Sequence, residues 1–175
     1  MLAEITRREL QRINEEEEEK RIAQESLNPP EYVKKLIYKL VVENRLLSQK
    51  EMDYVKTHIE KPSIRSQFSD FLMAFTSPRS IRDEKCLEML GDIIKVVIDL
   101  LIEEKDNSNM KELISIMHCS QLLFTFKEDG GAGGRMTKVF LNSYISEHEI
   151  WQDVEVWRLC LQRLINLKFH DAVKQ

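Results

Sequence analysis

Apolar residues along this chain recur at three- and four-residue intervals over most of its length, and polar residues fill the positions between them. Val33, Leu36, Ile37, Leu40 and Val41 follow i, i+3, i+4, i+7, i+8, which puts five side chains on one face of a helix that opens after Pro29-Pro30. Ser48 and Glu51 have capping-box spacing ahead of Met52, Val55 and Ile59, so a second helix is expected there. Ile64, Phe68, Phe71, Leu72 and Phe75 mark a third after Pro62. Ser80 with Asp83 suggests the N-cap of a long fourth helix. It is apolar on two sides: Leu87, Leu90, Ile94, Val97 and Leu101 on one, Met89, Ile93, Val96 and Leu100 on the other. Such a helix is packed from several directions and belongs at the centre. Gly91 inside it costs about 1 kcal/mol relative to Ala, which the close approach of a crossing helix would offset.

After the polar turn Asp106-Asn107-Ser108-Asn109, the residues Met110, Leu113, Ile114, Met117 and Leu122 predict a further helix running to Phe126. Val139, Phe140, Leu141, Tyr144 and Ile145 form a short apolar element. A last helix follows Ser146 and carries Trp151, Val154, Trp157, Leu161, Leu164 and Ile165. The expected fold is all-α, a compact bundle of about six or seven helices.

Two segments stand apart. Residues 1–28 form a charged helical arm whose apolar stripe is too thin to hold a core, and Glu15 to Glu19 are five consecutive carboxylates. The helical domain spans residues 29–175 and is interrupted by a flexible loop at 129–136. Four of the five glycines lie in that loop, between Gly130 and Gly134, a tether that is either a natural loop or an engineered substitute for a longer insertion.

Composition narrows the function. With 175 residues the chain has room for one ordinary domain, and a net charge of −4 lacks the basic excess of a nucleic-acid binder. Cys86, Cys119 and Cys160 are an odd, widely spaced set with no C-x-x-C pair, so buried, reduced thiols in a cytosolic chain are expected. No signal peptide is evident at Met1 to Arg12, and Ile93 to Ile102 is too short for a membrane span of about 20 residues. Gly-rich phosphate loops, metal-ligand spacings and H-E-x-x-H are all missing, and the adjacent pair His118-Cys119 would point about 100° apart on a helix. The expectation is a non-catalytic chain without cofactor or metal.

The most distinctive stretch runs from His148 to Trp157. Acidic Glu147 and Glu149 suit a helix N-terminus, and Trp151 and Trp157 sit six residues apart. The structural reading is an anchor for the final helix. The functional one is a partner-binding patch of His148, Trp151, Asp153 and Trp157, because Trp is enriched at interface hot spots.

The residues from Tyr144 to Trp157, together with Leu46 to Glu51 and the Ile93 to Ile102 helix, resemble a helical region of the myotubularin-related SET-binding factors. They are also similar to that region in the DENN-containing MAP-kinase-activating death-domain protein. The pattern is an apolar turn, His, a spacer, an apolar residue and Trp, then a second Trp, and the chain departs from it at Val156, where the family has an aromatic. The resemblance implies cytosolic membrane-traffic machinery, with a Rab-type small GTPase or another trafficking protein as partner. It implies no exchange activity for a chain too short to hold a DENN module. The competing expectation is a structural spacer or a homodimerisation unit that pairs through residues 1–28.

Overall fold

A computed structural model describes residues 7, 12–17, 19–20, 22–23, 27–104, 110–129, 134–158, 160–162 and 165. Three helices come first: α1 (Pro29–Val41), α2 (Gln49–Ile59) and α3 (Pro62–Met73). Pro stands in the first turn of α1 and α3, where a missing N–H costs nothing. Helix α2 starts on the predicted capping box. The Ser48 hydroxyl accepts from the Glu51 N–H at 3.3 Å, and the Ser48 N–H donates to the Glu51 carboxylate at 2.9 Å. That carboxylate is itself buried and receives the Lys39 ammonium at 2.7 Å, which ties α1 to α2.

The 21-residue helix α4 (Glu84–Glu104) is the core of the molecule. Leu87, Leu90, Ile93, Ile94, Val97 and Ile98 are fully buried, while Met89, Val96 and Leu100 pack part-buried around them. Its cap is Asp83, whose carboxylate accepts from the Lys85 N–H at 2.9 Å. Ser80 is not at the cap but lies in a two-residue strand, β1 (Arg79–Ser80). Helix α5 (Met110–Leu122) packs on α3, and the His118 ring bonds the Phe75 carbonyl at 2.9 Å just past the end of that helix.

Here the all-α expectation needs correction. The helix ends at Leu122, and Leu123–Asp129 is a strand, β2, not a helical continuation to Phe126. It pairs antiparallel with β3 (Arg135–Phe140), with Phe124 opposite Phe140, Phe126 opposite Lys138 and Glu128 opposite Met136. Strand β1 lies parallel on the far side of β2, giving a three-stranded sheet in the order β1-β2-β3. The molecule is mostly helical with one small sheet. The physical reason is that aromatic and β-branched residues on both sides of the glycines complete each other's backbone hydrogen bonds once paired. The loop expected at 129–136 is correspondingly shorter, because Asp129, Arg135 and Met136 are strand residues; residues 130–133 and the turn at 106–109 lie outside the described residues.

Beyond β3 comes a one-turn helix, α6 (Asn142–Ile145), then a 3₁₀ turn at Glu149–Gln152. The last helix therefore starts later than Ser146 implied: residues 154–158 and 160–162 are helical. Gly91 is where α4 meets α6, in agreement with the close approach expected of it. In the arm, the described residues at 12–17, 19–20 and 22–23 are helical. Glu19 bonds Lys50 at 2.6 Å, and Ile22 packs part-buried on the core. Among the described residues no helix is long and apolar enough to cross a membrane.

Candidate functional site

The four residues singled out between His148 and Trp157 fall close together, and each has a defined structural task. His148 is only 12% exposed. Its Nδ1 accepts the Ile150 backbone N–H at 3.3 Å and so caps the 3₁₀ turn. That leaves the ring proton on Nε2, which donates to Asp99 Oδ1 on the central helix at 2.9 Å. Asp153 is exposed and caps the last helix: its carboxylate accepts the Glu155 N–H at 2.8 Å and its carbonyl accepts the Trp157 N–H at 3.3 Å.

The two tryptophans form a pair. Their ring centroids are 5.3 Å apart, tilted by 50°, and Trp157 Nε1 donates to the Trp151 carbonyl at 2.6 Å. Trp151 packs against the core with its own Nε1 buried and, among the described residues, without a hydrogen-bond partner. Trp157 looks outward onto a cleft of about 340 Å³ lined also by Ser120, Gln121, Phe140, Asn142 and Ser143.

Phe140 connects that cleft to the hairpin, which sequence reasoning missed. Residues opposite each other in antiparallel strands share a face, so Phe124, Phe126 and Glu128 of β2 stand with Phe140, Lys138 and Met136 of β3. Phe124 meets Phe126 edge-on at 5.4 Å and Phe140 at 5.7 Å. Lys138 Nζ hangs 3.6 Å from the Phe124 centroid and 4.7 Å from that of Phe140, held by the negative faces of both rings. Toward the tip the packing runs out: Phe126 is 51% and Met136 57% exposed. Phe124-Thr125-Phe126 before the glycines and Thr137, Val139 and Phe140 after them were the available signal, masked by a helical pattern that runs up to Leu122.

A polar joint sets the hairpin's position. Glu84, in the first turn of α4, accepts Lys127 Nζ of β2 at 2.8 Å and the Tyr144 hydroxyl of α6 at 3.0 Å on the same oxygen. Lys127 first, then Tyr144, hold its carboxyl below the usual range. Burial, then the neighbouring Glu84, pushes the Tyr144 phenol up. Among the described residues no three His, Cys, Asp or Glu side chains converge as a metal-ligand group. His118 and Cys119 turn to separate partners, the Phe75 and Ile116 carbonyls.

Comparison with protein-family models, with curated proteins and with solved structures finds no match to this chain.

Proposed function

We propose that this chain is a non-catalytic protein-recognition module of cytosolic membrane-traffic machinery, with a Rab-type small GTPase as its candidate partner. Its contact surface is the aromatic face of the β2–β3 hairpin and the adjoining Trp157 cleft. One observation carries the reading: Phe126 and Met136 lie exposed on the same face of a hairpin that Lys127 ties to Glu84 of the central helix. Large apolar side chains displayed together on a fixed element are what protein interfaces use as their core. The trafficking context and the GTPase rest on the resemblance of Tyr144 to Trp157 to the SET-binding factors and their DENN-containing relatives.

The test is affinity capture from cytosol with the full chain and with a Phe126→Ser/Met136→Ser variant, both sites being exposed enough to leave folding intact. A protein enriched by the first and lost by the second, and binding directly when purified, is the expected result; a Rab GTPase among such proteins completes the proposal. Identical sets of captured proteins would overturn it.

A further inference from the structure

Among the described residues two strands are paired on a single side, the two-residue β1 and the six-residue β3, and only β3 is long enough to offer an edge to another strand. The alternation of antiparallel bonding decides which groups of β3 look outward. The Leu141 N–H donates to the Leu123 carbonyl at 2.8 Å, so 141 and, by the period of two, 139, 137 and 135 turn their backbone groups toward β2. Phe124 confirms the phase, since its carbonyl points the other way and accepts the Ile81 N–H at 2.7 Å. Met136, Lys138 and Phe140 therefore direct their N–H and C=O groups away from β2.

We infer that the outer edge of β3 takes up an extended peptide segment of a partner protein as a fourth strand, and that this segment carries an acidic residue between two apolar ones. This inference rests on the recognition reading above and names the chemistry of its partner. Backbone bonding to Met136, Lys138 and Phe140 would supply affinity, and side chains on alternate positions would supply selectivity. On the aromatic face the incoming strand meets Met136, then Lys138, then Phe140 beside the Trp157 cleft. That order calls for an apolar residue, a carboxylate and an apolar or aromatic residue at i, i+2 and i+4.

Charge selects this occupant over a second copy of the chain. Strand β3 carries Arg135 and Lys138, both exposed, and no acidic residue, within a protein whose net charge is −4. Pairing β3 with its own copy would bring the two sets of cations into one interface, where like charges oppose pairing. Lysine on an outer strand is a common guard against such self-association. An acidic segment turns the same cations into attraction.

The experiment uses the full chain and a fluorescein-labelled peptide, Ser-Leu-Thr-Glu-Thr-Phe-Ser, whose pattern reads the same in either strand direction, with a control in which Lys replaces Glu. Anisotropy should give saturable binding that weakens at least tenfold with the control and with Lys138→Glu. Hydrogen exchange should slow at least tenfold at the Met136 and Lys138 amides and leave Thr137 and Val139 unchanged. A second variant, Met136→Pro, removes an outward N–H without touching the β2 ladder and should abolish binding. Binding of the Lys peptide in preference, protection elsewhere on the chain, or no binding at all would overturn the inference. So would light scattering that finds a dimer lost in Met136→Pro. If the peptide fails while Phe126→Ser/Met136→Ser still loses a captured partner, strand addition falls and the recognition reading stands.

Discussion

Gly91 and Tyr144 are in near contact: a Cβ built on Gly91 would stand 3.0 Å from the Tyr144 Cβ. Tyr144 has little freedom to withdraw, because its hydroxyl is held by Glu84 and its N–H by the Leu141 carbonyl at 3.0 Å. Substituting Gly91→Ala sets a helix-propensity gain of about 1 kcal/mol against an overpacking cost of about 1–3 kcal/mol. The clash lies at a Cβ fixed to the backbone, so it prevails. A net loss of about 1 kcal/mol is expected in urea denaturation, and Gly91→Leu should lose clearly more. A stabilised Gly91→Ala protein would mean that α6 can shift off α4.

Glu84 joins the central helix to both the hairpin and α6, and its carboxyl is held below the usual range chiefly by Lys127. A carboxyl depressed on folding adds stability above its unfolded value of about 4.3, and that stability drains away as pH falls through the folded value. Wild type should therefore lose stability at the acid end faster than Glu84→Gln. At neutral pH Tyr144→Phe should cost about 1.5 kcal/mol for one part-buried hydrogen bond to a charged acceptor, while Lys127→Met, an exposed pair, should cost under about 1 kcal/mol. Denaturation midpoints between pH 3 and 7 measure all three. Parallel pH profiles for wild type and Glu84→Gln would refute the role given to Glu84.

The helical core was legible wherever apolar spacing and a start signal agreed. Ser48 and Glu51 form the predicted capping box, and the two-sided apolar pattern of Leu87 to Leu101 does mark the central helix. The sheet was not, because β1 has two residues, β2 and β3 have only seven and six, and β2 follows α5 without a break. Phe126 satisfies a helical interval from Leu122, and only its pairing partner across the glycines, Lys138, decides otherwise. Pairing of distant segments is nonlocal information that periodicity does not hold. The candidate site was half visible for the same reason: Trp151 and Trp157 could be read from composition, whereas the cleft that Trp157 shares with Phe140 depends on where β3 ends.

Arg65 is the largest departure from the rule that charge stays outside. It is 1% exposed, and its guanidinium donates to the Glu60 carbonyl at 2.6 Å at the end of α2 and to the Glu104 carboxylate at the end of α4. A cation at two helix C-termini satisfies orphan carbonyls and complements both dipoles. Arg65→Ala removes the cap and leaves a cavity, for an expected loss of about 2–4 kcal/mol. Glu104→Ala should cost less, because Arg65 retains the Glu60 carbonyl and the lost carboxylate was partly solvated. Thermal denaturation of the two variants checks the order, and equal losses would show that the carboxylate, not the carbonyl cap, holds Arg65 in place.

The three cysteines are buried. Burial pushes the Cys160 thiol up to about 11, burial and then Asp83 push Cys86 up to about 11, and burial alone raises Cys119 further. Only the thiolate reacts, and an ordinary thiol ionises near about 8.5, so native alkylation by iodoacetamide at pH 8 should run at least about 100-fold slower than in denaturant. The linkage has the opposite sign from that of Glu84. Thiols whose ionisation is opposed by folding contribute fully below the unfolded value of about 8.5, and that contribution is lost as pH rises toward about 11. Replacing Cys86 and Cys160 by Ala should flatten the alkaline fall in stability while lowering the plateau at neutral pH through lost packing. Rapid labelling of any of the three in the native chain would show that the corresponding part of the core opens on the labelling timescale.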